Sequence, residues 1–81
     1  MVLNQFFVAT EIILVFGSNI DDRYKSAIVC GELEKMDGVY RVNIDLDDWE
    51  NVLRVQCDSL ITEHCIRQVI AKLGFQCYEL T

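Results

Sequence analysis

Residues 39–57, VYRVNIDLDDWENVLRVQC, decide the fold. Val42, Ile44 and Leu46 alternate with Arg41, Asn43 and Asp45, the two-residue period of a strand with one buried face. Asp47, Asp48, Trp49, Glu50 and Asn51 break the pattern with a polar connection. Leu53, Val55 and Cys57 then alternate with Val52, Arg54 and Gln56. Two such runs around a short polar turn predict a β-hairpin with one apolar face.

An apolar face needs a cover, and the flanking sequence offers helices on both sides. Upstream, Ser18, Asn19, Asp21 and Asp22 supply capping side chains and negative charge for a helix start. Val29, Leu33 and Met36 recur at helical spacing, with Ser26 one turn earlier, so a helix is expected over residues 22–36. Asp37 and Gly38 end it. Downstream, Thr62 can cap a second helix whose inward positions are Ile66, Val69, Ile70 and Leu73, with Gly74 as its stop. A continuous apolar run at residues 11–17 predicts a central strand, and residues 75–80 a short final one. The order strand, helix, strand, strand, helix, strand defines an α+β fold, the ferredoxin-like βαββαβ sandwich. Its four-stranded antiparallel sheet carries both helices on one face. Residues 1–10 are an N-terminal extension or lead-in to the first strand, and residues 11–81 the domain.

Composition bounds what such a domain can do. The 81 residues make room for one domain, of which a folded chain buries only about 60% of its unfolded surface. Seven basic and thirteen acidic residues give a net charge of -6. Nucleic acid is therefore not the expected partner, since its phosphates are held by Lys and Arg; a basic protein or a cation is the compatible ligand. The apolar N-terminus has no basic start and no small-residue cleavage site, and no run approaches the ~20 apolar residues of a membrane span. A cytoplasmic protein with reduced thiols is expected, with no membrane contact.

Several segments resemble the heavy-metal-associated domain family. Lys35-Met36-Asp37-Gly38-Val39 followed by Val42-Asn43-Ile44 is similar to that family's helix end and second strand. Ile70-Ala71-Lys72-Leu73-Gly74-Phe75 is similar to its second-helix ending, in which glycine precedes an aromatic. The resemblance spans residues 11–80 and implies small soft-metal carriers or the metal-binding domains of copper and zinc transport ATPases. Their motif, Gly-Met-Thr-Cys-x-x-Cys, occupies the first strand-to-helix turn. Here that turn reads Asn19-Ile20-Asp21-Asp22-Arg23-Tyr24-Lys25. Ile20 keeps the apolar plug, and the two thiolate positions fall on Asp22 and Lys25. Thiolates hold Cu(I) or Zn(II) because they are soft and anionic, whereas an ammonium repels the cation and one carboxylate suits harder ions. No metal is expected at the family position, and no cofactor.

The remaining chemistry is sparse. Cys30, Cys57, Cys65 and Cys77 form no C-x-x-C pair, and His64 is the sole histidine. Cys57 and Cys77 read as core, while a thiol site of Cys57, His64 and Cys65 stays open as a minor alternative. Cys65, in the first turn of its helix, also admits a redox role. No nucleophile–base–orienter set and no phosphate-cradling loop points to an enzyme. Two surfaces remain. The topology gathers Asp21 and Asp22 with Asp47, Asp48, Trp49, Glu50 and Phe75 at one end, an acidic end suited to a basic partner. The first strand is apolar on both faces, Ile13 and Val15 on one and Ile12, Leu14 and Phe16 on the other. The latter face, joined by Val52 and Tyr78, is expected to meet water unless residues 1–8 or a second copy cover it. The function expected is a non-catalytic binding module that has lost its soft-metal site and acts through a basic partner or as a homodimer. The alternative is a Cu(I) or Zn(II) carrier or sensor using the other cysteines, and a regulatory small-ligand domain is a third.

Overall fold

The computed structural model describes residues 10–80. The elements follow the order β1 (Glu11–Ser18), α1 (Arg23–Glu34), β2 (Val39–Asp45), β3 (Val52–Asp58), α2 (Glu63–Lys72) and β4 (Cys77–Glu79). The strands form one antiparallel sheet in the order β2-β3-β1-β4, so β1 and β3 are central and β2 and β4 are the edges. This is the ferredoxin-like sandwich expected from the pattern. The N-terminal extension lies outside the described residues up to residue 9.

Each helix starts and stops for a local reason. Asp22 accepts the Lys25 N–H at 2.8 Å and caps α1. Thr62 does the same for α2 through the Cys65 N–H at 3.2 Å. At the end of α2, Gly74 takes φ 93, a left-handed value that costs a glycine little. The chain then closes with Gly74 N–H to the Ala71 carbonyl and Phe75 N–H to the Ile70 carbonyl, both 3.0 Å. These two bonds are the Schellman closure, and they turn Phe75 back against the core. Two elements are shorter than the sequence pattern suggests: α1 ends at Glu34, and β4 holds only three residues.

The core lies between the sheet and the two helices. Phe16, Ile20, Val29, Leu33, Leu53, Val55, Cys57, Ile66 and Ile70 are fully buried, and Ile12, Leu14, Val69 and Leu73 pack against them. The register explains which face of β1 turns inward. Ile12 pairs with Cys57, Leu14 with Val55 and Phe16 with Leu53, and directly opposed residues share a face. The expected self-association face is therefore corrected. Ile12, Leu14 and Phe16 belong to the core, and Ile13, which is 61% exposed, points outward with Val15. A hydrophobic run apolar on both faces does not reveal its own parity; the pairing to β3 does. Val52 and Tyr78 do lie on the outer face, but Val52 is only 6% exposed.

Gly17 shows why that corner is closed. It pairs with Tyr78, and a Cβ at position 17 would stand 2.3 Å from the Tyr78 ring. The ring thus lies across bare backbone, and its hydroxyl donates to Glu50 Oε2 at 2.7 Å. One aromatic ties β4, β1 and the β2–β3 connection together.

Candidate functional site

The β1–α1 turn, the β2–β3 connection and the start of β4 converge at one end. Ser18 N–H donates to the Glu50 carbonyl at 2.9 Å, and Ser18 Oγ donates to the Asn51 carbonyl at 2.7 Å. Ser18 Oγ also accepts the Ile20 N–H at 3.2 Å. On the other side, Asn19 accepts the Gln76 N–H through Oδ1 at 2.9 Å and donates its own N–H to the Gln76 carbonyl at 3.2 Å. The connection is shaped by its own side chains: Asp45 accepts the Asp47 N–H and Asp48 accepts the Glu50 N–H. Asn51 closes it at φ 46, a left-handed conformation that asparagine tolerates better than most residues. Asp21, Asp22, Asp47 and Trp49 are exposed, while Asp48, Glu50 and Phe75 are half-buried. These hydrogen bonds set the β1–α1 turn beside the β2–β3 connection and the approach to β4, and Trp49, 87% exposed, stands clear of the core.

Within the β1–α1 turn, Ile20 is fully buried and anchors the loop from below. Above it, Lys25 Nζ lies 2.8 Å from Asp21 Oδ1 and 3.7 Å from Asp22 Oδ2. The hydrogen bond from Lys25 holds the Asp21 carboxyl below the usual carboxylate range, and the same bond raises the Lys25 ammonium. Asp22 is already engaged as the α1 cap. Asp22 and Lys25 thus present a capping carboxylate and an ammonium paired to its neighbours. This donor set does not fit a soft cation: it offers no sulfur, and its positive charge is fixed at the centre.

The four cysteines are free thiols. Cys57 is fully buried in the core and Cys77 nearly so; burial pushes both thiols up and disfavours the thiolate a metal would need. Burial raises Cys30 as well. His64 and Cys65 are exposed. The Cys57, His64 and Cys65 cluster does not form, because Cys57 points into the core while the other two face water. Among the described residues, no group of three or more His, Cys, Asp or Glu side chains is placed to hold a metal ion.

Other polar features had no signal in the sequence. Glu34 on α1 accepts the Val42 N–H on the β2 edge at 3.1 Å. Glu63 at the start of α2 sits beside Glu79 on β4, and its proximity raises the Glu79 carboxyl. Glu63 Oε2 is buried without a hydrogen-bond partner among the described residues. Each joins residues far apart in the chain, so only the assembled topology reveals them.

Among solved structures, the chain is similar to oxidised MerP from Ralstonia metallidurans CH34. The TM-score is 0.77 at 12% identity, over 89% of this chain and 100% of that one. It is also similar to the yeast copper transporter domain CCC2A, with TM-score 0.73 and 22% identity over 84% of this chain and 93% of that one. A copper-binding domain from the P-type ATPase HMA7 gives TM-score 0.74 and 24% identity, over 85% of this chain and 93% of that one. No family model and no curated protein matches the sequence. The fold is that of the heavy-metal-associated domains. Among the described residues, no helix is long and apolar enough to cross a membrane.

Proposed function

We propose that this chain is a non-catalytic interaction module on the heavy-metal-associated scaffold, with an ion pair in place of the soft-metal site and an acidic end that receives a basic protein surface. Lys25 is the observation that carries this reading. Its ammonium lies 2.8 Å from Asp21 Oδ1, at a turn where the resemblance expects a thiolate. A loop neutralised from within has no need of a cation. The acidic end supplies what a basic partner would meet: carboxylates on two loops, with Trp49 on one of them as a large exposed contact.

A lysine-rich peptide is a direct probe. On titration, amide shifts should cluster at residues 19–22, 46–51 and 75, and weaken as salt rises. The paired change Asp47→Lys and Asp48→Lys should remove most of the response. Shifts elsewhere, or an unchanged response in the variant, would remove the acidic end from the proposal.

The likeness to copper transporter and copper-binding domains favours a second reading, soft-metal handling through the remaining thiols. It requires stoichiometric Cu(I) or Zn(II) binding that is lost in Cys65→Ser or Cys57→Ser. The burial of Cys57 and the absence, among the described residues, of any group of three or more metal-ligating side chains weigh against it.

A further inference from the structure

The two edges of the sheet are finished differently. On β2 the outward N–H of Val42 is taken by the Glu34 carboxylate at 3.1 Å, so a side chain from α1 blunts that edge. On β4 the bonds to β1 fall on alternate residues. Leu80 N–H reaches the Val15 carbonyl at 3.1 Å, the Gln76 carbonyl accepts from Asn19, and Tyr78 is the paired residue between them. By antiparallel alternation, Cys77 and Glu79 turn their N–H and C=O groups away from β1. No described side chain caps them.

A groove of about 550 Å³ lies along this edge. Its walls include Cys77, whose side chain joins the core, and Tyr78, which lies over the outer face. Cys77 and Tyr78 are neighbours on β4, so the groove borders that strand. Its far wall is the α2 stripe His64, Arg67, Gln68 and Ala71, spaced as successive turns of one helix face. Arg67 has no carboxylate of the described residues within ion-pairing distance. Glu63 and Glu79 are the acids of this neighbourhood, and Glu79 feels Arg67 only at longer range.

We propose that the β4 edge docks an extended segment of a partner protein as a fifth strand, with an acidic side chain of that segment meeting Arg67. Strand addition takes its affinity from main-chain bonds, here to Cys77 and Glu79, and its selectivity from pockets for alternate side chains. A residue turned toward the helices enters the groove beside Arg67 and Gln68, and its neighbours turn toward Tyr78. This surface is distinct from the acidic end.

The test is a selection of heptapeptides from a random phage library on the reduced chain, followed by titration of the selected peptides with amide detection. Selected sequences should be rich in β-branched and acidic residues, and they should slow hydrogen exchange at Cys77 and Glu79. N-methylation of alternate peptide nitrogens should each cost about tenfold or more in affinity, as should Arg67→Glu, an exposed helix position that does not threaten the fold. Three peptide results would overturn the proposal: no sequence enriched over blank beads, shifts confined to residues 19–22 and 46–51, or affinity indifferent to N-methylation. A dimer of the free chain protected at Cys77 and Glu79 would also overturn it, by showing a second copy as the occupant.

Discussion

At the residue scale, the difference between this turn and a soft-metal loop comes down to two side chains. Asp22 spends its oxygen on the Lys25 N–H, and Lys25 spends its charge on Asp21. The capping role of Asp22 was legible in the sequence; the pairing of Lys25 with Asp21 was not, because it depends on the turn that brings the two side chains together. The fate of the cysteines was only half legible. Alternation placed Cys57 inward, but nothing in a single sequence shows that Cys65 is left alone at the surface. The two thiols should respond oppositely to the same change. Cys57→Ser puts a hydroxyl without a partner into the core and should cost about 1–3 kcal/mol in denaturant melts. Cys65→Ser, on an exposed turn, should stay within about 0.5 kcal/mol. Equal effects would mean that Cys57 is not the structural residue described.

At the scale of elements, β1 and β4 carry the lessons. The sequence showed β1 as a central strand apolar on both faces, yet not which face the helices cover. That parity is set by pairing to β3, an interaction between residues about forty apart in the chain, to which local periodicity is blind. The glycine at position 17 held a hint, since a bare position in a strand marks a close approach. Tyr78 makes that approach and binds Glu50. Gly17→Ala should displace the ring and lower the melting temperature, and the loss should largely disappear in a Tyr78→Ala background. A full loss in both backgrounds would place the strain elsewhere. β4 also carries Glu79 beside Glu63. Its folded-state carboxyl lies above the ordinary 4.5, so the charged form is disfavoured in the fold. The sign follows: any stabilisation from the protonated pair is complete below about pH 4.5 and is lost as pH rises through the raised value. Glu79→Gln should therefore raise the melting temperature near neutral pH and leave it nearly unchanged at about pH 3. Asp21 has the opposite sign, contributing above its ordinary 3.8 and losing that contribution as the pH falls. A variant no more stable at neutral pH would show that the two carboxylates do not oppose each other.

At the scale of the whole molecule, the hairpin pattern, helix caps and glycine stops were enough to write the topology, because each is local and they agree. They also placed the acidic loops at one end, since antiparallel connectivity dictates which loops meet. The β4 groove was not legible, because its walls come from α2 and β4 and the register that brings them together is tertiary. What the scaffold does rests on whether the β1–α1 turn still takes a soft metal. Native mass spectrometry of the fully reduced chain with equimolar Cu(I) or Zn(II), run beside the double variant Asp22→Cys and Lys25→Cys, asks this directly. An interaction module predicts a bare wild-type chain and one metal on the variant, the scaffold regaining the site when its two thiolates are restored. One tight metal on the wild-type chain, lost on thiol alkylation, would contradict it and establish a metal carrier built on other cysteines.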